Sequence, residues 1–290
     1  MSKQVDRLIS QALAIEAEEA REAGALGYMA RALVQATIPH RATTESAFTR
    51  KNGNYTFTML ANPKAGLPYG SVPRLLLAWL ATEAVTTQSR ELELGNSLSD
   101  FMRQLDMVPT GGRWGSITRL KSQTSRLFSS FIQCTYTAKD DTGKVQEAIQ
   151  NMVIADSANL WWEPKSANQA SLFASTVTLS ENFYTEIVCN PVPVDIRALK
   201  ALKKSPMALD IYCWLTYRMS YLSKPTNIPW EGLQAQFGAG YPDTAQGKRD
   251  FKKNFLLHMK KVLTVYPDAR AGEGVSGLLI RPSKPHIPKL

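Results

Sequence analysis

Slid along itself by 135 residues without a gap, the chain lays Trp79-Leu80 on Trp214-Leu215, Leu98 on Leu233, Leu120 on Phe255, Leu127 on Val262 and Phe128 on Leu263. Every superposed pair is apolar on both sides, so a register that buries one segment also buries the other. At 290 residues and 44% hydrophobic content, the chain is long enough for two modest cores. The expected class is mainly α with short β-hairpins (α+β), one unit used twice. Residues 1–25 form a leading helix, 26–190 the first unit and 191–290 the second.

Local signals give each unit the same order of elements. Residues 39–58 read as loop and strand, and Asn62-Pro63-Lys64-Ala65-Gly66-Leu67-Pro68 is turn chemistry that sets off a new element. Leu75, Leu76, Trp79, Leu80 and Val85 give Ser71–Thr87 the apolar face of a core helix. Arg90-Glu91-Leu92-Glu93-Leu94 alternates as a short strand, and Asn96 or Ser97 can cap a helix over 98–105. Thr110-Gly111-Gly112 then turns the chain into a helix over 113–131. Residues 132–137 alternate as a strand, Asp140-Asp141-Thr142-Gly143 is a hairpin turn, and 146–162 supply the returning strands, with Trp161-Trp162 in a wing core or a dimer contact.

The second unit has a helix over 205–222, an extended Asn227-Ile228, a short helix Trp230–Phe237 ending at Gly238, and a long basic helix over 246–263. Thr264-Val265-Tyr266 and Gly277-Leu278-Leu279-Ile280 form its closing hairpin. Helix, short strand, helix, helix, hairpin is the order of a winged helix, so two tandem winged-helix domains are expected, each with its third helix entering a major groove.

Charge separates the two units. Residues 1–199 hold 19 basic and 19 acidic side chains, whereas the last 91 hold 15 Lys and Arg against 6 Asp and Glu, which is the whole net charge of +9. Such a positive block points to a polyanion, and phosphate backbones are the commonest kind. No apolar run reaches the ~20 residues of a membrane helix and the N-terminus has no signal pattern, so a cytoplasmic protein without a membrane partner is expected. Cys134, Cys189 and Cys213 are widely spaced and read as buried free thiols.

His40, His258 and His286 stand in no metal-ligand spacing and read as packing histidines. There is no phosphate-cradling Gly-rich loop ending in Lys-Ser/Thr, and Gly238-Ala239-Gly240 follows a helix rather than a strand. No cofactor, no metal and no enzymatic activity are expected; a nicking enzyme is the distant third reading.

On a helical wheel Ile117, Leu120, Thr124, Leu127, Phe128 and Phe131 form the core stripe of the first unit's third helix. Arg119, Ser122 and Arg126 lie opposite with Thr118 beside them, and Arg113 follows the glycines at the N-terminus. Guanidinium forks and short hydroxyls suit base edges and phosphates. In the second unit Phe251, Phe255, Met259 and Val262 face the core, leaving Arg249, Lys253 and Lys260 outside; Lys248 completes the set of DNA-binding candidates. Lysines favour backbone positioning, so the second unit is expected to supply phosphate affinity, with Arg249 as its base reader.

Four segments carry a family resemblance. They are Tyr69-Gly70-Ser71-Val72-Pro73-Arg74-Leu75-Leu76-Leu77-Ala78-Trp79-Leu80, Glu93-Leu94-Gly95-Asn96-Ser97-Leu98-Ser99-Asp100-Phe101, Ser205-Pro206-Met207-Ala208-Leu209-Asp210-Ile211-Tyr212-Cys213-Trp214-Leu215-Thr216-Tyr217-Arg218 and Ile228-Pro229-Trp230-Glu231-Gly232-Leu233-Gln234-Ala235-Gln236-Phe237-Gly238. From about Leu26 onward the chain resembles the RepA-type plasmid replication initiators of proteobacteria. The resemblance implies binding to repeated double-stranded sites (iterons) at an origin, opening of nearby DNA, and recruitment of the host initiator and replicative helicase. It also implies a homodimer in equilibrium with a monomer. The competing expectation is a dimeric transcriptional repressor on an inverted repeat.

Overall fold

A computed structural model describes residues 3–95, 97–139, 144–160 and 175–288. The expected hairpin turn at 140–143, the Trp161-Trp162 pair and Asn96 as the alternative cap lie outside the described residues.

α1 (Lys3–Ala17) turns Leu8, Ala12 and Ile15 inward. After it come β1 (Leu26–Ala30), the short α2 (Arg31–Gln35), and a hairpin of β2 (Ala47–Asn52) and β3 (Tyr55–Leu60). α3 (Ser71–Thr87) has the bounds its apolar pattern predicts, but one buried face understates it: Val72 through Ala81 are all buried, as befits a helix enclosed on every side. β4 (Glu91–Glu93) leads to α4 (Leu98–Gln104), where the Ser97 hydroxyl accepts the Asp100 N–H at 3.1 Å, the cap expected for Ser97.

α5 (Ser116–Phe128) runs into β5 (Phe131–Lys139), followed by β6 (Val145–Val153), β7 (Ala155–Asn159) and β8 (Thr176–Leu179). α5 is shorter at both ends than the expected 113–131. Gly115 is its cap, and Phe131 belongs to β5, opposite Leu60, where a ladder pairs its backbone. Arg113 therefore stands before the helix.

The expected first hairpin also pairs differently. β5 and β6 extend the β2–β3 hairpin into a four-stranded sheet, ordered β2-β3-β5-β6, whereas β4 pairs with β8 in a sheet ordered β4-β8-β7. The reason lies in β3, whose Phe57 and Met59 are wholly buried and whose free edge β5 satisfies over six residue pairs. Among the described residues the helices are joined by four sheets of two to four strands, so the chain is mixed α and β, consistent with the expected α+β class.

α6 (Glu181–Cys189), β9 (Pro191–Asp195) and α7 (Ile196–Leu202) come next, and β9 pairs antiparallel with β1, Leu26 opposite Asp195. The remainder is α8 (Pro206–Met219), β10 (Thr226–Pro229), α9 (Trp230–Phe237), α10 (Ala245–Val265), β11 (Arg270–Glu273) and β12 (Gly277–Arg281). α9 has its predicted bounds and ends at Gly238. The strand expected at 264–266 is instead the end of α10: Val265 is buried one step beyond Val262, so the helical period runs on. The closing hairpin starts at Arg270, and its sheet is ordered β10-β12-β11.

Cys134 and Cys213 are buried as expected, but Cys189, at the end of α6, is exposed. Burial agrees at each of the six residue pairs named for the 135-residue shift: both members of five pairs are buried, and Phe128 and Leu263 are both half-buried. Trp79 meets Phe101 of α4 edge-on at 5.0 Å, and Trp214 meets Phe237 of α9 edge-on at 5.6 Å.

α3 and α8 are joined by a buried ion pair. The Arg74 guanidinium donates Nε and Nη2 to the two Asp210 carboxylate oxygens at 2.6 and 2.7 Å, then gives its other N–H groups to the carbonyls of Ile38, Pro39 and Gly70. All five of its donors are used. His40 Nε2 bonds to the same carboxylate at 2.7 Å. Burial alone would raise the Asp210 pKa; the Arg74 charge and the bonds from His40 and Arg74 hold it below the usual carboxylate range.

Candidate nucleic-acid interface

The turn that launches α5 is pinned by side chains, not loosened by its glycines. Thr110 Oγ1 accepts the Ser116 N–H and Ser116 Oγ accepts the Thr110 N–H, both at 2.9 Å, while the Ser116 hydroxyl donates to the Val108 carbonyl at 2.6 Å. Thr118 donates its hydroxyl to the Gly112 carbonyl at 2.9 Å. A Cβ on Gly115 would sit 2.2 Å from the Thr110 carbonyl oxygen, so only glycine lets the chain enter the helix here. Flexibility, which two adjacent glycines would suggest, is therefore not what Gly111-Gly112 supply: the helix N-terminus follows a loop held by side-chain hydrogen bonds.

On α5 itself Ile117, Leu120, Thr124 and Leu127 are buried and Thr118, Arg119 and Ser122 exposed, as the wheel predicts. Arg126 differs. It is half-buried, donates Nη1 to the Leu67 carbonyl at 3.1 Å, and lies over the Tyr69 ring at 5.4 Å. Its guanidinium braces the loop before α3, which leaves Arg119 as the free fork of this face. Thr118 is likewise committed to the turn through its proton. Arg113 is exposed and its guanidinium stacks on Trp114 at 5.1 Å.

Trp114 was not singled out from the sequence, yet it is 83% exposed beside the helix N-terminus. Its signal was an indole set between Arg113 and Gly115 in a Gly-rich turn, a place with no core to fill. Gln123 was also missed: it is buried and its Oε1 accepts the Tyr69 N–H at 2.8 Å, fastening α5 to the segment preceding α3.

α10 is launched by a second tight turn. Thr244 Oγ1 accepts the Gly247 N–H at 3.1 Å, and a Cβ on Gly247 would fall 2.1 Å from the Pro242 carbonyl oxygen. Phe251, Phe255, Met259 and Val262 are buried, and Arg249, Lys253 and Lys260 form an exposed stripe at steps of four and seven residues. Lys248 is exposed but points about 100° round the helix from Arg249, with its ammonium 3.2 Å from the Asp243 carboxylate. Leu257, 51% exposed, stands one turn beyond Lys253 and adds an apolar element to the stripe.

His258 sits at the stripe's margin with Nδ1 3.0 Å from the Ser205 hydroxyl; burial and the nearby Lys261 ammonium push its pKa down to about 4. Its imidazole is therefore neutral at physiological pH and adds nothing to the positive face.

Each candidate set stays on its own helix. Among the described residues no hydrogen bond or ion pair links the α5 set to the α10 set. Nor do three His, Cys, Asp or Glu side chains among them converge where a metal could sit, and no helix is long and apolar enough to cross a membrane.

A family described as plasmid encoded RepA protein matches residues 67–231, more than half of the chain and the stretch holding α3, α5 and α8. No curated protein matches in sequence. Two solved structures, both of domains 2 and 3 of RctB, one of them a selenomethionine derivative, share the fold at 10% identity. They superpose with TM-scores of 0.51 and 0.55, over 86% and 89% of this chain and 96% and 99% of theirs.

Proposed function

The chain belongs to the family of plasmid-encoded RepA proteins, and on that premise we propose that it initiates plasmid replication by binding repeated double-stranded DNA sites at an origin. In this reading the chain opens the DNA nearby and recruits the host initiator and replicative helicase, acting in the bacterial cytoplasm. The observation that carries the proposal is the pair of helices α5 and α10, each launched from a pinned turn and each exposing cationic side chains away from a buried stripe: Arg119 with the hydroxyls of Thr118 and Ser122 on α5, and Arg249, Lys253 and Lys260 on α10.

Two tandem winged helices, divided at about 190, account for those faces. The sheet orders β4-β8-β7 and β10-β12-β11 support that reading, since in each the strand preceding the second helix pairs with the last strand of the unit. Matching Trp–Phe contacts behind the two helices support it further. Arg119 on α5 would read bases, while Arg249, Lys253 and Lys260 on α10 would hold phosphates, with Arg249 as the second base reader.

A homodimer in equilibrium with the monomer completes the proposal. β6, an outer strand with exposed Val145 and Ile149, supports it as an edge on which a second copy could pair.

Protection footprinting on the DNA flanking the chain's own coding sequence, at several salt concentrations and with excess random competitor, tests the reading. Protected direct repeats spaced near two helical turns are expected. A single protected palindrome would favour a dimeric repressor, and no protection would end the proposal.

A further inference from the structure

Two adjoining cavities of about 930 and 750 Å³ are both lined by His40, Arg41, Ala42, Lys203, Lys204 and Pro206, and form a two-chambered cleft with those residues as the saddle between its chambers. One end is lined by Arg119 and Ser116 of α5, the other by His258 and Lys261 of α10. Its cations come from six places in the chain: Arg7 on α1, Arg41 in the loop before β2, Arg50 on β2, Lys200, Lys203 and Lys204 around the end of α7, Lys261, and Arg119.

Only two carboxylates line it. Asp106 is paired with Lys203, and Glu45 is exposed. None of Arg7, Arg41, Lys200, Lys204 and Lys261 forms an ion pair among the described residues. Like charges gathered in this way repel, and an anion that enters relieves the repulsion.

The saddle is also rigid. Arg74 holds the carbonyls of Ile38 and Pro39, and His40 is tied to Asp210, so the loop carrying Arg41 is fastened to the α3–α8 contact. The rings in the walls are each engaged within the chain: Phe48 is buried under Arg50, half-buried Tyr69 lies under Arg126, and half-buried Tyr241 packs edge-on against Phe251. Binding of a single strand relies on open aromatic faces for its bases to stack upon. A cleft with several free cations, whose aromatic rings already have partners, suits phosphates.

We propose that this cleft is a backbone-binding site that holds the phosphates of duplex DNA between the stretches met by α5 and α10. The inference rests on the DNA-binding reading above. It gives the connection between the two helices a role in affinity without sequence selectivity, because phosphate contacts fix register and carry no base information.

The test uses the full chain with Arg41, Lys204 and Lys261 all changed to Gln, compared with Arg119→Ala and with the unaltered protein. Unchanged melting temperature certifies the fold; Arg41 and Lys204 are exposed and Lys261 is half-buried. With duplex carrying the protected site and with random duplex, the triple variant should bind both more weakly by the same factor. The slope of log K against log salt should fall by about 2 to 3, since each phosphate contact contributes about 0.9.

An unchanged slope in the triple variant, while Arg119→Ala still loses site selectivity, would overturn the cleft and leave the helices as readers. A loss confined to a single-stranded oligonucleotide of the same sequence would overturn it as well. If neither variant altered duplex binding, both the cleft and the Arg119 assignment would fall; if the unaltered protein bound neither duplex, the DNA-binding reading itself would fall.

Discussion

Arg119 and Arg126 lie seven residues apart on one helix and carry the same side chain, but their surroundings give them different work. Arg119 is exposed, so Arg119→Ala should cost about 1–3 kcal/mol at the specific site, spare random duplex and leave the melting temperature alone. Arg126 donates to the Leu67 carbonyl, so Arg126→Ala should lower stability by about 1 kcal/mol in a urea titration as well as weaken binding. Lys253→Ala should weaken specific and random binding together and lower the salt slope by about 0.9, as a single phosphate contact does. A competition titration that found Arg119→Ala and Lys253→Ala alike would refute the division between base reading and backbone holding. The exposure of Arg119 and Lys253 was legible from helical periodicity, which needs only neighbours on the same helix. The tethering of Arg126 was not, because its acceptor is 59 residues away in the chain.

Elements whose ends are set locally could be read to the residue. α3 and α9 begin and end where turn chemistry, caps and apolar period say they should. α5 and α10 could not, since Phe131 is claimed by a ladder with β3, and Thr264 and Val265 are kept helical by packing of Val265. The turns that aim these two helices depend on glycines that backbone crowds. Gly115→Ala or Gly247→Ala would press a methyl carbon to 2.2 or 2.1 Å of a carbonyl oxygen, and each should cost about 1–3 kcal/mol in urea unfolding. Gly111→Ala is the control: its new methyl meets nothing within 4 Å, and stability should stay within about 0.5 kcal/mol. Equal losses at Gly111 and Gly115 would show that chain stiffness, not crowding, governs the turn.

Across the whole molecule the Arg74–Asp210 pair is the contact whose loss should be felt most. Asp210→Asn removes the charge that the buried guanidinium faces and should cost about 3–5 kcal/mol, whereas replacing both partners with apolar residues should cost much less. A double-mutant cycle by calorimetry measures the difference. Acid should destabilise the protein through its histidines: burial lowers the pKa of all three, to about 4 for His258 and His286. Between about 6.5 and 4 the unfolded chain binds protons that the folded one refuses, so stability is full above that window and declines as pH falls through it. Urea midpoints from pH 7.5 to 4.5 should show the decline, and His286→Gln, which leaves a neutral partner for Tyr212, should make it shallower. The sequence by itself determined roughly where α5 and α10 lie and which of their faces are wet, because periodicity and capping act within a few residues. Only the tertiary structure decided that β5 pairs with β3 and β6 with β5, rather than either with β4, and that Arg7, Arg41 and Arg119, from a stretch whose charges cancel, line the same cleft as Lys200, Lys204 and Lys261 from the basic one. Strand pairing and the gathering of charge depend on residues far apart in the chain, and no local pattern records which of them will meet.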